Sequence, residues 1–230
     1  MNANRNSTRV LLLTTMNEID GIRLIWSDIP RESFSRILVV DANSKDGTLE
    51  FLKDKECVAL QQSKPGRGNA INEAMLQIRE DVIVLMASDG NDDPRYVPSL
   101  LEKISEGYEI VSGSRFADGG ETDDSDDRLG IRRLGNRFFT FLVNLLWSAN
   151  YTDSTYGMRA FTREAWTKLN MNATLNETEF LMSIRSAKLG LKVCQIPVVE
   201  GKRVGGEVKA RSLSTGISFV KIIIRELFRP

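Results

Sequence analysis

Residues 82–94 read VIVLMASDGNDDP, a continuous apolar run that ends in a loop of oxygen-bearing side chains. An apolar run without polar alternation is typical of a strand that is buried on both faces of a parallel sheet. The same order, a short apolar run and then a polar loop, recurs at residues 10–18 and 37–48. Because ligands bind beyond the carboxyl ends of such strands, the repetition predicts a site where these polar loops meet.

Helical patterns separate the apolar runs. The alternation predicts an α/β fold with a mostly parallel central sheet and helices on both faces. Residues 138–147 are strongly apolar without a clear face, residues 153–161 are expected to form a loop, and Pro197 places the last strand towards an edge or end of the sheet. We predict strands at residues 10–15, 37–40, 58–60, 82–86, 109–112 and 193–199, and helices at residues 17–26, 49–55, 71–79, 96–104, 177–189 and 217–228.

The chain has 230 residues, 31 basic and 31 acidic side chains, and no histidine. The missing histidine excludes mechanisms that need an imidazole, such as Ser-His-Asp catalysis, and zinc sites with histidine ligands. A net charge of zero argues against a nucleic-acid partner that is bound through bulk charge. If the chain is an enzyme, carboxylates and a bound metal have to carry its chemistry.

The last segment of the chain is basic and amphipathic. Residues 217–228 have apolar side chains at helical spacing with Lys221 and Arg225 on the opposite side. We therefore divide the chain into one domain over residues 1–211 and a tail over residues 212–230. This tail could lie on an anionic membrane surface, and the alternative is a helix that packs on its own domain or on a second copy of the chain.

Targeting signals are missing from the sequence. Residues 1–9 lack the apolar core of a signal peptide, and no run reaches the ~18 apolar residues that a membrane-spanning helix needs. Cys57 and Cys194 have no CxxC spacing and lie in apolar surroundings, so we expect buried, reduced thiols. These patterns predict a cytoplasmic protein, with peripheral attachment to the cytoplasmic membrane face left open.

Acidic residues follow two of the predicted strands and are candidates for metal or nucleotide binding. Asp89, Asp92 and Asp93 form an oxygen-rich loop with Asn91, which suits Mg²⁺ or Mn²⁺, although the same letters also form ordinary turns. Asp41 follows the second strand, where its carboxylate could accept hydrogen bonds from a nucleobase or ribose. Alternatively, residues 46–48 form a turn and helix cap, and Asp41 has no role in binding.

The order of the motifs is more specific than any one of them. The chain carries TMNE, VVDANSKDGT, KPGRGNA, VLMASDGNDDP, VSGSRF, DSTYGMRAF, a helix with a glutamate and then RVGGEVK. Over about residues 9–211 this order resembles family 2 glycosyltransferases with a GT-A fold. Within that family the chain looks most like the polyprenyl-phosphate (dolichyl-phosphate) sugar synthases.

The resemblance implies a nucleotide-sugar donor whose diphosphate is bridged by Mg²⁺ or Mn²⁺. Asp89 would be the last carboxylate of the family's DxD motif and Asn91 a nearby metal ligand. Arg115 would face the active site, and Arg203 together with Arg132 or Arg133 would bind phosphate oxygens. The remaining residues implied on the donor side are Thr14, Thr15, Asn17, Glu18, Asp41, Lys64, Gly66, Gly68, Asn69, Ser114 and Lys209.

The acceptor side is implied by a second motif and one helix. Asp153, Thr155, Gly157 and Arg159 match the family's D-x-T-x-G-x-R segment, and Glu179 matches a glutamate near the acceptor. Two positions depart from the family pattern. The first DxD carboxylate is Ala87, which puts metal coordination in doubt, and the usual second aspartate after the second strand is Ala42.

The resemblance also implies inversion at the anomeric carbon. A lipid-phosphate acceptor is already ionised near neutral pH, whereas a hydroxyl acceptor needs a base, for which Glu179 and Asp153 are the candidates. Two other classes stay open: a nucleotidylyltransferase and a non-catalytic nucleotide-sugar-binding protein. The expected partners are therefore a nucleotide-diphosphate sugar and a lipid-phosphate or saccharide acceptor, with a homo-oligomer left open.

Overall fold

The computed structural model describes residues 7–123, 130–204 and 212–229. Within these ranges the chain forms seven strands and eight helices. The strands are β1 Arg9–Thr15, β2 Arg36–Asp41, β3 Val58–Gln61, β4 Val82–Ala87, β5 Ile110–Ser114, β6 Arg159–Thr162 and β7 Val193–Pro197. The helices are α1 Ile19–Trp26, α2 Thr48–Lys53, α3 Arg67–Gln77, α4 Val97–Ser105, α5 Ile131–Trp147, α6 Arg163–Leu169, α7 Thr178–Lys188 and α8 Ser212–Phe228.

All of these strands belong to one sheet with the order β3-β2-β1-β4-β6-β5-β7. Strand β6 runs antiparallel to β4 and β5, and the other neighbours are parallel. The expectation of a mostly parallel sheet is thus confirmed, and β7 lies at an edge as Pro197 indicated. The carboxyl ends of β1, β2 and β4 lie side by side, which brings their loops together.

Helices cover both faces of the sheet. Leu11 and Leu13 of β1 pack in one core with side chains of α1, α2 and α4. Val10 and Leu12 point to the opposite face and pack with side chains of α3, α6 and α7. Because all four β1 residues are completely buried, the continuous apolar run is explained by cores on two sides.

Three elements differ from the sequence expectations, and one of them is helix α6, which was not predicted. Residues 159–162 form strand β6, although residues 153–161 were expected to be a loop. Helix α5 begins at Ile131 and includes the apolar residues 138–147 in its second half. Cys57 and Cys194 are free thiols that are only partly buried.

Helix α8 packs on the domain through one face. The rings of Phe219 and Phe180 stack with their centroids 4.1 Å apart. Arg185 of α7 donates to both carboxylate oxygens of Glu226, at 3.2 and 2.8 Å, and both side chains are buried. The tail of the sequence prediction therefore contributes to a third core beside α5 and α7.

In the part of the chain that the structure describes, no helix is both long enough and apolar enough to cross a membrane.

Candidate functional site

A cavity of about 300 Å³ opens where β1, β2 and β4 end, and we call it the strand-end cavity. Four residues that the sequence assigned to a nucleotide pocket line it: Thr14 and Thr15 at the end of β1, Glu18 just before α1 and Gly66 just before α3. Asp89 and Arg203 line it as well. The other lining residues are Met16, Val40, Ala42, Gln62, Arg67, Ala70, Ala87, Ser88 and Asn176.

Arg203 joins two carboxylates in this cavity. Its Nη2 donates to Glu18 Oε1 at 3.0 Å and lies 3.2 Å from Asp89 Oδ2. Glu18 follows β1 and Asp89 follows β4, so one guanidinium connects the loops of two neighbouring strands. The arrangement gives the cavity acidic and basic groups within hydrogen-bonding distance of one another.

Arg67 is a cavity residue that the sequence analysis did not single out. Its Nε donates to Thr14 Oγ1 at 3.1 Å, and its Nη1 forms an ion pair with Glu179. Burial opposes the charged form of Arg67, but the charge and hydrogen bond of Glu179, together with the charges of Asp92 and Asp89, outweigh burial and raise the pKa of the guanidinium. The cavity therefore holds a second permanent cation beside Arg203.

Gly66 and Gly68 are explained by backbone packing. Gly68 N–H donates to Leu175 O at 2.7 Å, and Asn69 N–H donates to Thr174 O at 3.2 Å. A Cβ at Gly68 would lie 2.6 Å from Ala173 O, and Gly66 has a φ of +104° that favours glycine. These amides bind the 173–175 backbone, although the family resemblance assigned this segment to the nucleotide. Of the motif, Gly66, Arg67 and Ala70 line the strand-end cavity.

The loop after β2 is held together by its own polar groups. Asp41 is completely buried and accepts hydrogen bonds from the Ser44 amide and hydroxyl. The Asn17 side-chain oxygen accepts from Lys45 N at 2.8 Å, and the Asn17 backbone N–H donates to Ser44 Oγ. Asp41 and Asn17 therefore lie outside the lining of the strand-end cavity, and their side chains shape the loop beside it.

The three aspartates of the loop after β4 have different surroundings. Asp89 reaches the strand-end cavity, whereas Asp93 caps the turn at Pro94–Tyr96 and pairs with Arg95. Asp92 is buried and accepts from Ala87 N at 2.8 Å. Burial raises the pKa of Asp92 to about 7, the Ala87 amide opposes the shift, and the charge of Asp89 adds to it.

The residues of this loop fit a divalent cation whose coordination shell is completed by a bound substrate and by water. No group of three or more His, Cys, Asp or Glu residues that could hold a metal occurs among the described residues. Mg²⁺, however, is commonly bound through one or two carboxylates plus substrate phosphates. Asp89 supplies one carboxylate, and the buried Asn91 Oδ1 has no hydrogen-bond partner in the described ranges. These oxygens suit a cation that takes its other ligands from phosphate and water.

Arg115 lies in a buried ion-pair cluster. Its Nε and Nη2 bind Asp153 Oδ2 and Oδ1 at 2.8 and 3.3 Å, and Nη1 reaches Glu200 Oε1 at 3.2 Å. Thr155 Oγ1 accepts from Nη2 at 3.0 Å. Burial would raise the pKa of Asp153, but the Arg115 charge and hydrogen bonds lower it overall.

A second cavity of about 920 Å³ lies between α5 and α8, and we call it the helix groove. Its walls are mostly apolar and include Phe139, Phe219 and Val220. Arg115, Thr155 and Arg132 are among its polar lining residues. Asn176 lines both the helix groove and the strand-end cavity, so the two adjoin at this residue.

Several predicted site residues lie outside both cavities. Arg159 is buried and donates to Ser183 Oγ, Tyr156 O and Ser154 O, which makes it part of the core. Ser114 Oγ is hydrogen-bonded to Thr152 and to the amides of residues 116 and 117. Lys64 and Arg133 are exposed, and the Asn69 side chain donates to Pro65 O. Gly157 lies beside Asp92 and Arg67, and Glu179 forms its ion pair with Arg67 without lining either cavity. Lys209 falls outside the described residues.

Comparison with known proteins identifies the family. The model of glycosyl transferase family 2 matches residues 11–169. The chain belongs to that family. This transferase is 30% identical to the dolichyl-phosphate hexose transferase of Haloferax volcanii. The alignment extends over 224 residues and covers 95% of each chain. It is 28% identical to the undecaprenyl-phosphate mannosyltransferase of Micrococcus luteus, covering 93% of this chain and 92% of that one.

A further relative is longer than this transferase. The glycosyltransferase AglJ of Haloferax volcanii is 30% identical over 200 residues, which is 85% of this chain but 64% of AglJ. Among solved structures, a complex of glucosyl-3-phosphoglycerate synthase from Mycobacterium tuberculosis with Mn²⁺, UDP and glucosyl-3-phosphoglycerate has a TM-score of 0.78 at 20% identity. It covers 99% of this chain and 82% of that one. The likeness confirms the expected GT-A fold.

Proposed function

We propose that this family 2 glycosyltransferase moves a sugar from a nucleotide-diphosphate sugar to a polyprenyl phosphate, with inversion at the anomeric carbon. Two similar proteins carry dolichyl-phosphate or undecaprenyl-phosphate in their names. One observation within the chain carries the choice of acceptor: both carboxylates that could serve as a base are bound by arginines, Asp153 by Arg115 and Glu179 by Arg67.

A hydroxyl acceptor needs a group that removes its proton. Arg115 lowers the pKa of Asp153, which makes that carboxylate a weaker base. Glu179 lies behind Arg67 and lines neither cavity. Asp92 has a raised pKa, but it too lies outside both linings. A phosphate monoester, whose second pKa is about 6, is already ionised near neutral pH and needs no base.

The strand-end cavity is the proposed donor site. Arg67 and Arg203 would hold the diphosphate through charge-assisted hydrogen bonds, and Asp89 with Asn91 would hold Mg²⁺ or Mn²⁺. When bound, the cation neutralises negative charge on the leaving diphosphate. An acceptor phosphate oxygen attacks the anomeric carbon, the bond from that carbon to the diphosphate oxygen breaks, and the nucleoside diphosphate departs with the electron pair.

The helix groove is the proposed site of the lipid chain. It adjoins the donor site at Asn176, and Arg115, Thr155 and Arg132 supply polar groups to its lining. Exposed apolar side chains of both helices line or flank the groove, among them Leu134 and Phe138 of α5 and Leu213 and Ile217 of α8. Together with nearby basic residues they would support peripheral attachment to an anionic membrane.

A product analysis tests this function against its two rivals. The protein is incubated with a panel of nucleotide sugars, Mg²⁺ or Mn²⁺ and a polyprenyl phosphate, and both the nucleotide and lipid products are measured by mass spectrometry. Nucleoside diphosphate and a glycosylated lipid phosphate are the expected products. Pyrophosphate release would support a nucleotidylyltransferase, and donor binding without turnover would support a binding protein.

A further inference from the structure

One side chain occupies the position where the proposed cation would act. Arg203 Nη2 lies 3.2 Å from Asp89 Oδ2 and 3.0 Å from Glu18 Oε1. A guanidinium in this position compensates two carboxylates that would otherwise face each other across the strand-end cavity. A metal ion that binds Asp89 brings two positive charges to the same carboxylate, so Arg203 and the metal compete for it.

The backbone beside Arg203 is tied to the same loop. Val204 N–H donates to Asp89 O at 3.0 Å, and Gly201 N–H donates to Asn91 O at 2.8 Å. A Cβ at Gly201 would lie 2.5 Å from Gly90 O, so the two segments are in close backbone contact. These contacts keep the Arg203 backbone beside Asp89, and a change of partner then requires movement of the side chain alone.

The guanidinium is incompletely hydrogen-bonded in this position. Its Nε is buried and has no partner among the described residues. A buried polar nitrogen usually has a hydrogen-bond partner, and an arginine fork binds phosphate through two nitrogens at once. A diphosphate in the cavity would therefore offer Arg203 more hydrogen bonds than its two carboxylate partners do.

We infer that Arg203 is an internal counter-ion which blocks the metal position at Asp89 until a diphosphate draws its side chain away. The metal alone then binds weakly, because it has to displace the guanidinium. A donor diphosphate releases Asp89 and supplies further ligands, so metal and donor bind cooperatively. The inference rests on the proposed metal role of Asp89 and is independent of the acceptor and of sugar transfer.

Binding of Mn²⁺ alone tests this inference without donor or acceptor. Free Mn²⁺ is measured by electron paramagnetic resonance in titrations of the wild type, Arg203→Met and Arg203→Lys. We expect Arg203→Met to bind Mn²⁺ at least about fivefold more tightly than the wild type, the lower end of ordinary coupling between sites. Arg203→Lys, which keeps the charge, should retain the wild-type affinity.

Two further variants test whether the gain in Mn²⁺ affinity depends on the Asp89 carboxylate and on Arg203 in particular. Adding Asp89→Asn to Arg203→Met should remove the gain, and Arg95→Met, which deletes an exposed arginine beside the same loop, should leave the wild-type affinity unchanged. Equal or weaker Mn²⁺ binding by Arg203→Met overturns the inference, as does a gain that persists without the Asp89 carboxylate. Because no turnover is measured, a failed transfer assay would leave this result intact.

Discussion

The Arg115 guanidinium binds both oxygens of the Asp153 carboxylate, with Nε–Oδ2 and Nη2–Oδ1 distances of 2.8 and 3.3 Å. Both side chains are buried, and Thr155 Oγ1 donates to Asp153 Oδ1 while it accepts from Arg115. The pair fixes the start of the 153–159 segment against the end of β5. It also ties up a carboxylate that would otherwise be a candidate base.

Asp153→Asn should therefore lower stability in a pH-dependent way. Removal of one partner from a buried ion pair costs about 3–5 kcal/mol, so we expect a loss of that order at pH 7. The pKa of Asp153 is lowered from 3.8, so its contribution is present above that pH and disappears as pH falls through the lower folded value. Urea unfolding from pH 7 down to pH 3 should show the difference between variant and wild type shrinking in acid.

Glu106→Gln is the control for this stability measurement. It removes an exposed i,i+3 pair with Lys103, so only a small loss of stability is expected. A loss for Asp153→Asn as small as that of the control, or one that grows below pH 4, would contradict the buried ion pair.

Asp89→Asn should remove metal-dependent turnover while leaving the fold intact. The change keeps the size of the side chain but removes the charge that would hold the cation, and we expect kcat/KM to fall by roughly 100-fold or more, a loss of about 3 kcal/mol of transition-state stabilisation. Asp93→Asn is the matched control, because Asp93 belongs to the same loop but pairs with Arg95 outside the cavity. Nucleoside diphosphate release at several Mn²⁺ concentrations measures both variants, and equal activities would remove Asp89 from the metal site.

Gly68→Ala should destabilise the start of α3. The new Cβ would lie 2.6 Å from Ala173 O, so the 173–175 backbone would have to move, at a cost of about 1–3 kcal/mol. Gly135→Ala, in the interior of α5, meets nothing within 4 Å and should instead stabilise by about 0.5–1 kcal/mol. Thermal unfolding distinguishes the two, and similar shifts of Tm would contradict the packing of α3 on residues 173–175.

Charges at exposed apolar positions of α5 and α8 should weaken membrane binding. Leu134 and Leu213 are 71% and 78% exposed, so Leu134→Asp and Leu213→Asp can be made without disturbing the core. Leu76→Asp is the control, because Leu76 is 75% exposed on α3, away from both helices. Co-sedimentation with phosphatidylglycerol vesicles should be reduced in the double variant and retained in the control. No sedimentation of the wild type would contradict peripheral attachment.

The sequence was informative where apolar runs met polar loops. The strands β1, β2 and β4 were predicted from such runs. Thr14 at the end of β1, Glu18 after β1 and Asp89 after β4 reach the strand-end cavity because these strands are neighbours. Strand β6 was missed because it has four residues and includes the buried Arg159. The capping of α6 by Thr162, which accepts from Ala165 N, was a signal that a new element begins there.

Arg67 was missed for a different reason. The sequence predicts a helix only from residue 71, after the KPGRGNA segment, whereas α3 begins at Arg67 itself. The partner that holds Arg67 in the cavity, Glu179, is 112 residues further along the chain. Such a pairing depends on how α3 and α7 pack on the sheet, and local sequence patterns contain no information about it. The helix groove could not be predicted from the sequence either, because it forms only where α5 packs beside α8.

The preference for an ionised acceptor is tested most directly with two acceptors that differ only in their phosphate. Polyprenyl phosphate and the polyprenol of equal chain length are compared at pH 7.5 with the same nucleotide sugar and Mn²⁺, and the lipid products are measured by mass spectrometry. A product that carries one added hexose should form from the phosphate and not from the alcohol. Glycosylation of the polyprenol at a rate comparable to that of the polyprenyl phosphate would contradict a phosphate acceptor.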